Sequence, residues 1–258
     1  MLDLEVKSVE RLHERYVLLR LTAGNAAGGD GLPPMVPGQF VEVRVDGSPT
    51  TFLRRPISIH FVDREAGELH LLVALVGNGT RQLATLAPGH RLNCLLPLGN
   101  GFTLPTADCH PLLVGGGVGV APLLYLGAEL RRIGVEPTFL LGARTGADLL
   151  MLDEFARHGR VFVTTEDGSQ GEQGFVTQHS LLGKEMFGRI YTCGPTPMMK
   201  AVAAYASKKD IDCEASLENM MACGLGACLC CVEKTTEGNL CVCKDGPVFN
   251  VKRLLWQT

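Results

Sequence analysis

Over residues 4–102 the apolar positions come in short runs of strand length, with Gly or Pro between them. The runs 4–9, 16–21, 40–45, 57–62, 69–76 and 90–96 are rich in Val, Leu and aromatic residues. Such side chains suit a pleated, half-buried surface, and turn residues at this spacing predict a small antiparallel β-barrel or sandwich. Residues 24–38 have the composition of a flexible surface loop. From about Thr103 to Asp212 the pattern changes. Residues 111–114, 138–142, 160–165 and 189–193 read as buried strands, and 121–133 as a helix stopped by Gly134. Thr196 is the expected N-cap of a later helix, with Pro197 at its first position. Strands alternating with helices imply a parallel sheet covered on its faces. The rest, 213–258, is a short cysteine-rich module. The expected architecture is multidomain, β plus α/β: an antiparallel barrel at 1–103, a parallel-sheet α/β domain at 104–212 and a small module at 213–258.

Composition narrows the class. The chain has 258 residues, 46% of them apolar and 20% charged, with Lys+Arg 24 against Asp+Glu 27. That length allows one large domain or a few smaller ones with buried cores, and the apolar fraction excludes a mainly disordered chain. A formal net charge of -3 argues against nucleic acid as the main partner, because phosphate binding needs a basic face. No stretch supplies the roughly 20 uninterrupted apolar residues of a membrane span. The N-terminus carries charges in every turn and no signal-peptide core. A soluble, cytoplasmic protein without membrane contact is the expectation.

Ten cysteines change the picture, because six of them fall between Cys223 and Cys243. With nothing marking the chain for export, such a cluster reads first as a metal site. Cys223, Cys228 and Cys231 are spaced C-x4-C-x2-C, and Cys243 follows after eleven residues. This is the plant-type ferredoxin spacing for a [2Fe–2S] cluster. A loop containing Gly224 and Gly226 can wrap closely around the cluster and aim amide donors at its sulfurs. Zinc would ask for two short knuckles, and the second here would be the cramped Cys241–Val242–Cys243. Spacing leaves the fourth ligand open between Cys241 and Cys243, since residues two apart in an extended segment share a face. Cys230 breaks the spacing and is expected to be a spare, packed as a small apolar residue.

Two further pairs of motifs carry chemistry. Residues 54–60, RRPISIH, put a guanidinium and a hydroxyl on a barrel strand, where they could meet a phosphate beside a planar ring. Residues 77–83, GNGTRQL, offer glycines and Thr80 at a helix-like start, where backbone N–H groups could meet a pyrophosphate. Residues 112–126, LLVGGGVGVAPLLYL, read as strand, glycine turn and helix. Gly115, Gly117 and Gly119 are the candidate dinucleotide contacts there, although the spacing is not a strict G-x-G-x-x-G. Cys193, Gly194 and Pro195 end a later strand at the same carboxyl edge of the sheet, where open parallel sheets bind ligands. Taken singly, each motif reads equally well as a surface arginine or a packing turn. The histidines show no paired spacing, and Met198, Met199, Met220 and Met221 read as core filler. No nucleophile elbow or positioned carboxylate pair is present, so hydrolysis is not expected and no catalytic acid or base is nominated.

The order of these motifs resembles the ferredoxin–NADP reductase superfamily. There a barrel holds a flavin, an α/β domain holds a nicotinamide nucleotide, and some members append an iron–sulfur module. Within it, PGQFVEV, RRPISI, GNGT, PLGNGF, LLVGGGVGVAPL, CGPTPMM, SLENMMACGLGACLCCV and CKDGPVF resemble the electron-transfer subunits of dihydroorotate dehydrogenase B over essentially the whole chain. The most specific parts are 216–232 and 243–249. The resemblance implies an FAD site of Arg55, Pro56, Ile57, Ser58, Gly79 and Thr80, with Leu72, Val73 and Ala74 as a further flavin-contacting segment. Many relatives carry a Tyr and an Arg in that segment, so only backbone contacts carry over; Ile57 stands where distant reductases have a tyrosine. The resemblance also implies Cys223, Cys228, Cys231 and Cys243 as cluster ligands. It further implies an FMN-containing catalytic partner that oxidises dihydroorotate in pyrimidine biosynthesis. Electrons would then pass through [2Fe–2S] to FAD and leave as hydride to NAD+, within a two-plus-two heterotetramer. The alternatives are a sister FAD/[2Fe–2S] NAD(P)H oxidoreductase subunit serving ferredoxin, sulfide or hydrogenase partners, and a zinc-holding module without activity.

Overall fold

The computed structural model describes residues 1–24, 31–106 and 108–256, so the loop expected at 24–38 lies partly outside the described residues. Strands β1 (Leu2–His13), β2 (Tyr16–Thr22), β3 (Phe40–Val43), β4 (Arg55–Asp63), β5 (Glu68–Ala74) and β6 (Arg91–Leu98) close into a barrel in the order β1-β2-β5-β4-β3-β6. All their pairings are antiparallel. Alternation sorts the side chains: Leu4, Val6, Leu19, Leu21, Val41, Val43, Ile59 and Leu71 fill the interior. Closure pairs every strand edge, which a small open sheet could not do. Helix α1 (Asn78–Leu83) follows β5.

The second layer is a seven-stranded sheet. Its elements are β7 (Pro111–Gly116), α2 (Ala121–Arg132), β8 (Thr138–Ala143), α3 (Leu152–Ala156), β9 (Arg160–Thr165), β10 (Glu172–Gln173), α4 (Leu181–Lys184), β11 (Arg189–Cys193), α5 (Thr196–Lys208) and β12 (Asp212–Ser216). A hairpin of β13 (Val232–Thr235) and β14 (Gly238–Cys241), helical turn α6 (Val242–Asp245) and strand β15 (Val248–Asn250) complete the chain. The sheet order is β10-β9-β8-β7-β11-β12-β15, parallel except for β15. Succession runs outward from β7 through β8 and β9, then jumps back to β11 on its other side. The gap between β7 and β11 is therefore a topological switch point, where a crevice opens at the strands' carboxyl ends.

The cysteine module does not stand apart from this sheet. β12 begins at the expected boundary, and β15 returns from beyond the cysteines to pair with it. Cys231, Cys241, Val242, Cys243 and Phe249 share one apolar core with Leu112, Val114, Ile190, Met199 and Val202 of the sheet domain and with Phe40 of the barrel. The tail of the barrel is fastened to the same module, because Asn100 Nδ2 donates to the carbonyls of Lys244 and Asp245, 3.1 Å each. A third core joins barrel and sheet through Tyr16, Leu18, Leu72, Leu113, Leu123 and Tyr191. Tyr125 Oη donates to Met35 O at 2.8 Å and Tyr191 Oη to Thr103 O at 2.7 Å across this junction. Arg15 and Asp148 also pair across it, but Arg15 is half exposed and water screens the pair, so it adds little. The apolar contacts decide the docking.

Four local expectations are corrected. Pro195, extended at ψ 136°, is the N-cap of α5, and Thr196 is already helical, so its hydroxyl lies one position too late to cap. Cys230 is exposed rather than packed. Met199 and Met221 are core residues, whereas Met220 is 83% exposed beside the cysteine loop. Cys241 and Cys243 do not lie in one extended segment, because the chain turns into α6 at Val242. Among the described residues no helix is long and apolar enough to cross a membrane.

Candidate functional site

The barrel contribution begins with register. Pro56 lies opposite Glu42 and Ser58 opposite Phe40 across the β3–β4 pair. Directly paired residues share a face. Phe40 belongs to the core shared with the sheet, so Pro56 and Ser58 face the sheet side while Ile57 packs on the barrel interior. Arg54 is committed to the barrel, its guanidinium donating to the carbonyls of Glu42 and Asn93 at 3.1 Å each. Arg55 instead reaches α1. A Cβ on Gly79 would stand 2.9 Å from Arg55 Nε and 3.0 Å from Thr51, so only glycine lets the helix come this close. Thr80 Oγ1 lies 3.1 Å from both N and O of Gly77 and fixes that turn. RPIS and GNGT, twenty-odd residues apart in sequence, are thereby neighbours. Leu72 and Val73 are buried in two different cores, which leaves their backbone as what this segment can offer a ligand.

A cleft of about 650 Å³ opens at the carboxyl ends of β7, β8, β9 and β11, within the roughly 300–1,000 Å³ typical of cofactor sites. Gly117, Gly119, Gly194 and Pro195 lie on its wall. Gly115 sits behind that wall, under Val120 and Leu123, and Cys193 is fully buried. The two turns touch: a Cβ on Gly119 would fall 2.4 Å from Gly194 Cα and 2.6 Å from the Cys193 carbonyl carbon. Arg144, Thr164 and Glu166 line the sheet side, and Arg15 and Tyr16 close it from the barrel. Thr164 Oγ1 is buried without a hydrogen-bond partner among the described residues, a polar atom that a bound nucleotide could satisfy. Arg15 and Tyr16 were not legible as site residues, because they lie on the barrel hairpin and reach the cleft only through domain docking.

At the cysteine loop, Gly224 and Gly226 take φ values of 68° and 78°, left-handed turns that swing backbone N–H groups onto sulfur. Leu225 N donates to Cys223 Sγ at 3.4 Å, Gly226 N to Cys243 Sγ at 3.1 Å, and Cys243 N to Cys231 Sγ at 3.4 Å. Cys241 Sγ faces the Gly226 carbonyl at 3.8 Å instead, and its own N–H is taken by Asp245 at 2.7 Å. Backbone N–H groups of Leu225 and Cys228 draw the Cys223 thiol down to about 6, toward the thiolate that binds metal. Burial pushes Cys243 up to about 12, and a thiol so placed ionises when a metal replaces its proton. Among the described residues no three His, Cys, Asp or Glu side chains converge as one metal ion requires. A [2Fe–2S] cluster does not ask for that, since its ligands are divided between two irons. The donor set fits the cluster. Cys228 is exposed while Cys231 and Cys243 are buried, so such a cluster would bridge surface and core.

A barrel with a phosphate-compatible edge, a nucleotide-sized cleft at a switch point and a plant-type cysteine loop together define an oxidoreductase of the ferredoxin-reductase class. Residues 218–255 match the family described as the iron–sulfur cluster binding domain of dihydroorotate dehydrogenase B, and 113–204 match the oxidoreductase NAD-binding domain. The chain is 41% identical over 231 residues to a protein of Desulforamulus reducens, covering 86% of this chain and 87% of that one. It is 43% identical over 222 residues to a protein of Shouchella clausii, covering 83% and 85%. Both relatives are named dihydroorotate dehydrogenase B (NAD(+)), electron transfer subunit. Among solved structures, the NADH-dependent reduced ferredoxin–NADP oxidoreductase is 29% identical and covers 99% of this chain and 90% of its own, with a TM-score of 0.84. The ferredoxin reductase in carbazole 1,9a-dioxygenase, 21% identical with a TM-score of 0.66 over 81% of this chain and 66% of its own, shares the fold. The chain belongs to the family of dihydroorotate dehydrogenase B electron-transfer subunits.

Proposed function

We propose that this chain carries electrons from an FMN-containing dihydroorotate dehydrogenase partner to NAD+, with FAD on the barrel, NAD in the sheet cleft and [2Fe–2S] in the cysteine loop. The zones 1–103, 104–212 and 213–258 mark these three tasks, while the last two share a sheet. When bound, FAD supplies exchange of a hydride with NAD and of single electrons with an iron–sulfur cluster. The protein groups bind and orient. Arg55 offers a fixed guanidinium fork to a phosphate, and Gly79 and Thr80 hold the adjoining turn against it. Pro56 and Ser58 present the strand face on the sheet side of the barrel, with Ile57 behind them and the Leu72–Ala74 backbone as a further contact. Gly117, Gly119, Gly194 and Pro195 let backbone approach the dinucleotide, with Gly115 and Cys193 supporting them from beneath. Cys223, Cys228, Cys231 and Cys243 ligate the irons. No side chain is asked for acid–base chemistry.

The observation that carries this reading is the set of backbone N–H groups aimed at Cys223, Cys231 and Cys243 and not at Cys241. Donors of that kind stabilise charge on cluster sulfurs. A partner subunit, the two-plus-two stoichiometry and a cytoplasmic location complete the proposal; the location fits ten cysteines with no disulfide among them. The test is a pair of variants. Cys243→Ser is expected to lose the cluster's visible absorption and its iron while FAD stays bound, and Cys241→Ser to keep all three. The reverse result would reassign the fourth ligand.

A further inference from the structure

Glu42 lies where barrel, sheet and cysteine module meet. Its side chain is fully buried, and neither carboxyl oxygen has a hydrogen-bond partner among the described residues. A carboxyl in that condition is rare and calls for a reason. Register places it directly opposite Pro56, on the strand face that also carries Ser58. From the other side, a Cβ on Gly224 would stand 2.8 Å from Glu42 Cγ and 3.4 Å from its Oε1. The backbone that follows Cys223 therefore rests on this side chain, and Leu98 closes against the same point at 3.0 Å. Arg54 is the nearby cation, yet its guanidinium goes to the backbone carbonyl of Glu42 and to Asn93, not to the carboxylate. The carboxyl is left between strand β4 and the cysteine loop with no direct partner, Arg54 and Arg55 acting on it only from a distance.

We propose that Glu42 sets the reduction potential of the iron–sulfur centre, its carboxylate, when ionised, placing a negative charge between the strand face of Pro56 and Ser58 and the loop at Cys223. The proposal rests on reading Cys223 as a cluster ligand. An electron added to a centre beside a buried negative charge is disfavoured, and water cannot screen the pair as it would at the surface. Net charge and solvent exposure are the levers that set cluster potentials. A purely packing role would be met as well by glutamine, which has the same shape, and potential separates the two.

The test uses the holo chain with FAD and cluster, at pH 8.5, above the value of about 7 to which burial lifts this carboxyl. Wild type, E42Q and E42D are poised over a range of potentials, and the EPR signal of the reduced cluster is followed. That signal comes only from loaded molecules, so partial cluster loss does not mask the result. E42Q is expected to be easier to reduce, by about tenfold in the reduction equilibrium, about 59 mV for one electron. E42D, which keeps the charge, is expected to shift less. Equal midpoints for wild type and E42Q, or complete loss of the cluster from both variants, would overturn the proposal. A wild-type chain with no [2Fe–2S] signal would instead overturn the cluster reading beneath it.

Discussion

His60 is a second buried ionisable group with an unpartnered atom, where the barrel meets α2. Its Nδ1 donates to Ala121 O at 2.9 Å, and its Nε2 has no partner among the described residues. Burial lowers its pKa from 6.5 to about 4, with the charges of His70 and Arg20 pushing the same way and the Ala121 bond opposing. The unfolded chain accepts this proton near pH 6.5 and the folded chain refuses it until about 4. Stability from neutral His60 is therefore complete above 6.5 and lost as pH falls toward 4, by roughly 3 kcal/mol in all. His60→Asn keeps a donor and removes the titration. Urea unfolding should show the variant less stable than wild type at pH 7.5, with the gap narrowing at pH 4.5; a constant gap would contradict the assignment. At this scale the iron–sulfur module was legible, because cysteine spacing is local. Glu42 was not. It sits on the face of β3 that an isolated barrel would turn to water, and only the later modules bury it.

Among elements, the contact between the glycine turn after β7 and the CGP turn after β11 is the tightest that the function needs. Gly119→Ala places a methyl on backbone atoms that have no room to yield, and overpacking of this sort costs about 1–3 kcal/mol. The expected outcome is a KM for NADH raised about tenfold, equivalent to about 1.4 kcal/mol of binding, with FAD and iron contents unchanged. An unchanged KM would mean that the two turns do not form the nucleotide wall. Most elements were readable from the sequence. Short apolar runs punctuated by Gly and Pro marked the barrel, and apolar runs between helices marked β7, β8, β9 and β11. β12 and β15 were not, because DCEAS has no apolar run and VFN is too short to stand out. Pairing in the sheet, rather than propensity, makes them strands. The choice between Cys241 and Cys243 was open for a related reason: alternation assumes an extended chain, and the bond from the Cys241 N–H to Asp245 turns it into α6.

For the whole molecule, three modules share cores, and the proposal assigns electron transfer to this chain and dihydroorotate oxidation to its partner. The purified chain should be coloured and should oxidise NADH with artificial acceptors, and it should not oxidise dihydroorotate. Exposed Met220, Leu225 and Leu229 surround the cysteine loop, which is the edge a partner must approach if a cluster is to pass electrons between flavins. The family was legible from motif order over the chain, whereas the docking of the modules was not, since it depends on contacts such as Asn100 with Lys244 and Asp245. The most direct test captures the tagged chain anaerobically from its native cells, adds dihydroorotate and NAD+, and follows NADH. The account predicts that NADH appears, because the FMN partner is retained and electrons reach NAD+ through this chain. No NADH from a complex that still holds FAD and iron would contradict it.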